Sequence, residues 1–519
     1  MAVTESFADV VAKAYATTGP AIELGRGVHD GAVAHDVLVQ VPLAMMNRHG
    51  LIAGATGTGK TKTLQGLAEQ LSAAGVPVVV TDTKGDLSGL AVPGATDGPA
   101  PKRAADLGEP FTPAAFPVEF LALGGLGPGV PVRATVTDFG PQLLAKVLGA
   151  NDTQEQSLHL VFRYADERKL ALLDLADLRA VLSYLESDEG RADLSSIGGV
   201  SPATIGVLLR SLAGLEDRGG NEFFGEPQFD ISDLMRTAAD GRGVISSLEL
   251  AAVQDRPALF STALMWMVAE LFEQLPEVGD LEKPKLVFFF DEAHLLFDDA
   301  TDAFLQSVTQ TVRLIRSKGV GVFFVTQSPK DVPADVLGQL GNRIQHALRA
   351  FTPDDAKALR STVSTYPRSE FYDLEQLLTQ LAIGEAVVTI LSESGVPTPV
   401  VHTRMRAPQS RMSPVDDIAG PARASPLYAR YGTAIDTQSA REILAARMAQ
   451  SSAAAAAARP APSAKPARSK KARPAARSAG KPASGGALGT LGDLLASSQG
   501  KAIEKEVVRG VFGMLKKRF

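Results

Sequence analysis

A chain of 519 residues exceeds the roughly 250–300 at which a single hydrophobic core stops growing, so more than one structural unit is expected. Hydrophobic residues make up 45% of it and cysteine is absent, which excludes a disulfide framework and any thiolate metal site. The formal charge of −6 is unevenly divided. The stretch after Ser452 holds 14 Lys/Arg against 3 Asp/Glu, so an acidic body carries a basic tail, either an electrostatic footprint for a polyanion or a solubilising linker.

The first residues, "MAVTESFADVVAKAY", lack the basic-then-apolar pattern of a secretory leader. The most apolar windows, Ala258–Phe272 and Leu286–Phe290, are shorter than the roughly 18–20 residues a membrane span needs, so a cytoplasmic chain without a membrane partner is expected. Residues 1–49 read as a short N-terminal β-containing segment, with extended pieces "AIELG" and "DVLVQVPL" broken by "GRGVHDG". From 50 to 136 an α/β core begins. An apolar strand "HGLIAG" leads through a glycine-rich loop into a helix stopped at Gly75, followed by the strand "VPVVVTD".

Gly85 to Leu126, rich in Gly and Pro, reads as loops and edge pieces, and "VPVRATVTDFG" as another strand. Helical periodicity over 137–240 reads as an insertion into the core. The core resumes over 241–406 with "GRGVISSLELAAV", a long helix Pro257–Gln274 and the strand "KLVFFF". Order weakens in an extension over 407–450. Residues 451–487 form a disordered Ala/Pro/Lys-rich linker, because "ARPAPSAKPARSKKARPAARS" offers too little apolar surface to offset its ordering entropy. Residues 488–519 end in an amphipathic helix whose stripe is Ile503, Val507, Val511, Leu515 and Phe519.

Three strand ends carry the chemistry. "GATGTGKT" comprises Gly54, Ala55, Thr56, Gly57, Thr58, Gly59, Lys60 and Thr61 and fits the phosphate-loop pattern in its required strand–loop–helix setting. Glycines let backbone N–H groups turn toward phosphates, Lys60 reaches the β/γ oxygens, and Thr61 binds Mg²⁺. "KLVFFFDEAH" is a buried parallel strand delivering Asp291 to the metal shell and Glu292 to the attacking water, against the plain alternative of a strand ending in solvated acids. "GVFFVTQSP" ends on Gln327, a candidate for touching both γ-phosphate and water, 36 residues after Asp291. Together these residues call for a bound nucleoside triphosphate with Mg²⁺. Transition-state charge calls for an arginine, often from a neighbouring subunit. Arg316 and Arg343 are the candidates, ahead of Arg313, with surface salt-bridging as the alternative for each.

Three look-alikes are set aside. "TKGD" at Thr83–Asp86 imitates a guanine-reading motif but comes too early in the fold. "DEAH" imitates a helicase box without that superfamily's later arginine motif, so His294 reads as structural. "LSGL" precedes the acidic strand by some 200 residues where a transporter-ATPase signature would not.

This order of parts resembles the HerA/FtsK superfamily of RecA-like motor ATPases: a phosphate loop after a "RHG–apolar" strand, "TDTKGD", a large insertion, "FFFDEAH", then "VTQSP". "IGEAVVTILSESGVPTPVVHTRMRAPQSRM", "RYGTAID" and "VVRGVFG" are similar to the C-terminal signatures of bacterial HerA-like proteins. The resemblance spans roughly residues 20–450 plus the last helix. It implies a RecA-like fold and a ring-forming, often hexameric, ATPase with nucleotide between subunits, which translocates double-stranded DNA or pairs with a nuclease. The expectation is therefore a mostly parallel α/β sheet, a helical insertion and a DNA-directed motor. A motor acting on protein and a nucleotide-gated scaffold are the alternatives.

Overall fold

The computed structural model describes residues 6–195, 198–279, 281–297 and 302–458. The proposed linker beyond 458 and the final amphipathic stripe lie outside the described residues. The described residues up to Ala454 form one compact unit.

Among the described residues twelve strands make one sheet: β1 (Ala21–His29), β2 (Ala32–Pro42), β3 (Gly50–Ala53), β4 (Val78–Asp82), β5 (Val118–Leu123), β6 (Val130–Val132), β7 (Ile245–Glu249), β8 (Leu286–Phe290), β9 (Val320–Thr326), β10 (Asn342–Gln345), β11 (Glu385–Thr389) and β12 (Val401–Met405). Their order is β2-β1-β12-β11-β10-β3-β9-β8-β4-β7-β5-β6. From β10 to β6 all neighbours are parallel, and from β10 to β2 all are antiparallel. The molecule is α/β with a mostly parallel sheet.

The parallel strands are apolar throughout because both of their faces are covered. Along "LVFFF", Phe288 and Phe290 join Phe324 in the core on one face, while Phe289 and Phe323 pack on the other. The helix Lys60–Ala73 and the N-terminal hairpin cover the second face. The first is covered by Pro257–Gln274 together with the helices Val136–Val147, Asp152–Glu167, Leu175–Glu186 and Pro202–Asp217, which run between β6 and β7.

Local departures from the sequence reading have identifiable causes. β1 continues through "GRGVH" and turns only at Asp30 and Gly31, whose positive φ of 50° and 75° suits a two-residue hairpin turn. The strand expected in "VPVRATVTDFG" ends at Val132, since Thr135 caps a helix by accepting the Asp138 N–H at 3.2 Å. Val118–Leu123, expected as an edge piece, is an interior strand between β7 and β6. After Arg406 two short helices, Ala419–Ala424 and Pro426–Tyr431, bury Tyr431 completely, and its hydroxyl donates to Asp233 at 2.7 Å.

Candidate functional site

The parallel register gathers the chemistry-bearing residues at one edge. Ala53 lies opposite Thr326 of β9 and Gln345 of β10, Phe290 opposite Phe324 and Thr81, and Asp82 opposite Glu249. Strand β9 therefore stands between the phosphate-loop strand β3 and the acidic strand β8. All three release their loops at the carboxyl ends, where open α/β sheets bind ligands.

The loop after β3 is held from three directions. Gly54 N–H donates to Thr326 O at 3.2 Å, Ala55 N–H to Ala347 O at 2.8 Å, and Thr58 O accepts from Gly384 N–H at 2.9 Å. Gly54, at φ +154°, would drive a Cβ to 2.5 Å from the His346 Cβ, and Gly59, at φ +119°, opens the helix Lys60–Ala73. Lys60 is buried and folds over the loop, donating from Nζ to Gly54 O at 2.7 Å and Ala55 O at 3.2 Å. Burial lowers its pKa, while Glu292 and Asp291 pull the other way. Thr61, half-buried, stands at the first turn of that helix with its backbone dipole.

Asp291 and Glu292 are 4% and 8% exposed. Burial, then the charge of Glu292, pushes Asp291 up to about 7. The charge of Lys84 works against that rise without cancelling it, so a divalent cation would supply the further positive charge this buried carboxyl favours, and Thr61 and Asp291 are the residues that would hold Mg²⁺. For Glu292 burial works upward, but the hydrogen bond and charge of Lys84, with His294 and Lys60, hold it below the ordinary carboxylate value. The backbone of Glu292 sits at φ +49°, uncommon for a residue with a side chain.

Gln327 is exposed just past β9. Its turn is fixed by Asp331, which accepts the Thr326 hydroxyl at 2.8 Å and the Ser328 N–H at 2.9 Å. Gln327 opens onto a pocket of about 590 Å³ shared with Ala55 and Thr56 of the phosphate loop, His294, Arg349 and Lys330.

Arg316 and Arg343 do not join this cluster within one chain. Arg316 is exposed and precedes β9 at the opposite edge, a strand of seven residues, or roughly 20 Å, away from Gln327. Arg343 lies near the start of β10, where it donates to Thr365 Oγ1 at 2.8 Å and stacks over Tyr366.

Sequence reasoning missed three groups. Lys84, discarded with "TKGD", ion-pairs with Glu292; its place just past a parallel strand ending in Asp82 was the available signal. His294, read as structural, sits with Nδ1 3.4 Å from Glu292 Oε2. His346, buried behind the phosphate loop, meets Thr63 Oγ1 at 3.0 Å and the Glu385 carbonyl at 2.8 Å, and no local pattern marked it.

A family model described as helicase HerA-like C-terminal matches residues 29–518, so the chain belongs to that family. A probable helicase of Methanocaldococcus jannaschii is 24% identical over 376 residues, covering 69% of this chain and 66% of its own length, just under two thirds. Among solved structures, the plasmid coupling protein TrwB in complex with a non-hydrolysable ATP analogue has a TM-score of 0.49 at 16% identity, covering 77% of this chain and 98% of that one. VirB4 of Thermoanaerobacter pseudethanolicus has a TM-score of 0.47 at 16% identity, covering 75% and 97%.

Proposed function

We propose that this member of the helicase HerA-like C-terminal family hydrolyses ATP with Mg²⁺ and uses the energy as a ring-forming motor on double-stranded DNA. The observation that carries the hydrolytic part is the meeting of the phosphate loop, the Asp291–Glu292 pair and Gln327 at the carboxyl edge of adjacent parallel strands. Lys60 and the loop N–H groups hold the β/γ-phosphates. Thr61 and Asp291 hold the metal, which neutralises developing charge when bound. Glu292 takes the proton of the attacking water, and Gln327 orients that water against the γ-phosphate. Arg316 or Arg343, neither of which joins this cluster within one chain, would reach a neighbour's nucleotide in a homo-oligomer, a hexamer in this reading.

DNA as the moved substrate rests on the tail, net +11 after Ser452, and on the family. A nuclease partner and a cytoplasmic location belong to the same reading. Among the described residues no helix is long and apolar enough to cross a membrane. The acidic body favours one second reading, a motor of the same build acting on protein.

The test is ATP turnover with and without duplex DNA, beside Lys60→Ala. Expected are stimulation by duplex and loss of at least 100-fold in turnover with the variant. No turnover in the wild type sinks the ATPase reading. Turnover indifferent to any nucleic acid, with no binding at low salt, sinks the DNA reading and leaves the protein motor.

A further inference from the structure

Lys84 follows β4 on a turn made rigid by one carboxylate. Asp82, fully buried, accepts the N–H groups of Lys84 at 3.1 Å, Gly85 at 2.7 Å and Leu87 at 2.7 Å. The neighbouring strand end is stitched to the end of β4, because Asp291 N–H donates to Thr81 Oγ1 at 2.9 Å. The two backbones are thus fixed relative to each other, and the Lys84 ammonium, on a half-exposed side chain, spans the gap to Oε1 of Glu292.

The other oxygen of Glu292 is differently placed. Oε2 is buried and has no hydrogen-bond partner among the described residues, with His294 Nδ1 3.4 Å away. The main chain is held at its unusual φ by the Glu292 N–H donating to Asp291 Oδ1 at 3.0 Å and by Ala293 N–H donating to Val325 O at 2.9 Å. Both the carboxyl's origin and one of its oxygens are therefore pinned. The unsatisfied atom is the one left to accept a proton.

We propose that Lys84 is a positioning residue for ATP hydrolysis: its ammonium holds Oε1 of Glu292 so that Oε2 stays free for the attacking water. The inference rests on the ATPase reading and on Glu292 as the base. It also accounts for why a cation is needed there. The charge of Lys60 also acts on this carboxylate, so a Glu292 released from Lys84 is free to turn toward His294 or the phosphate-loop lysine. Either pairing would occupy the oxygen that has to accept the proton. The groups around Glu292 are then Asp291 on its own strand end, Lys84 past β4, Lys60 at the start of its helix, and His294 just beyond.

The experiment compares wild type, Lys84→Met, Lys84→Arg and Glu292→Gln, with the double variant Lys84→Met/Glu292→Gln, in steady-state ATP hydrolysis. Thermal melting and binding of a fluorescent ATP analogue monitor fold and site. Misplacing a catalytic group by about 1 Å costs on the order of 100-fold. Lys84→Met is therefore expected to lower kcat by about 100-fold with KM changed less than about threefold, and Lys84→Arg to recover at least about tenfold of that. On the Glu292→Gln background Lys84→Met is expected to have no further effect, since its influence runs through that carboxylate. Three results overturn the proposal: kcat of Lys84→Met within about threefold of wild type; an arginine variant no better than the methionine one; or an equal fold-loss on both backgrounds. If Lys84→Met does not fold, Lys84→Gln replaces it in the same cycle. An inactive wild type would instead remove the ATPase reading beneath it.

Discussion

At the scale of single residues, the phosphate loop is a matter of missing atoms. A methyl at position 54 would meet the His346 Cβ at 2.5 Å, where real contacts essentially never fall, and would crowd Thr58 Oγ1 at 3.0 Å. Gly54→Ala is expected to abolish nucleotide binding, with Thr58→Ala, which keeps the backbone path, weakening it far less; titration of a fluorescent nucleotide analogue decides between them. His346 itself is buried and neutral, pushed down to about 4 by burial, with the Lys60 charge a smaller push in the same direction. The unfolded imidazole titrates near 6.5, so between these values the unfolded chain holds the extra proton. Its contribution is complete above pH 6.5, declines as the pH falls, and levels off below about 4, by about 3 kcal/mol at the most. The urea midpoint of the wild type should drop between pH 7 and 5 more steeply than that of His346→Gln. Equal slopes would show that this imidazole does not titrate as described.

At the scale of elements, the helix Pro257–Gln274 ties the inserted helices to the sheet. Its Trp266 is fully buried against Phe223 and donates its indole N–H to Asp138 Oδ2 at 2.9 Å, on the first inserted helix. Asp138→Ala strands a buried donor and should cost about 1–3 kcal/mol, whereas Asp138→Asn keeps an acceptor and should cost less. Trp266 is the single tryptophan of the chain, so its fluorescence during urea unfolding reads this junction directly. A loss as large for Asn as for Ala would mean that the charge, not the acceptor, matters there. Elements were legible where one periodicity dominated. "LVFFF" and "VGVFFVT" are apolar runs bounded by turn residues and read as buried strands. β5 did not, because its "VEFLAL" sits among glycines and prolines and its interior place depends on β7, which arrives more than 100 residues later.

At the scale of the whole molecule, two expectations concern assembly and substrate. Arg316 lies at the opposite edge of the sheet and Arg343 near the start of β10, so if either completes a neighbour's site its loss is complemented in trans. Arg316→Ala should lower turnover by at least 100-fold, and mixing it with Lys60→Ala subunits should restore part of it, as mixed interfaces pair an intact loop with an intact arginine. No recovery in mixtures for either arginine argues against both. Removing residues 453–519 takes away a net charge of +11. If that tail meets phosphates, duplex binding should weaken and the slope of log K against log salt should become shallower. An unchanged slope assigns the tail to another role.

What the sequence alone determined is the set of local patterns whose physics is complete within a few residues. The phosphate loop needs only its glycines, its lysine and the helix behind it. The acidic strand needs only an apolar run that ends in Asp291 and Glu292. What the tertiary structure decided is every relation that depends on strand order. Placing β9 between β3 and β8 brings Gln327 to the same edge, and placing β4 beside β8 sets Lys84 against Glu292 across some 200 residues of chain. No periodicity encodes such a pairing, because sheet order follows from which faces can be buried together across the whole core. For the same reason Arg316 and Arg343 could be proposed from sequence, while the opposite-edge position of Arg316 and the engagement of Arg343 with Thr365 and Tyr366 became visible only in the fold.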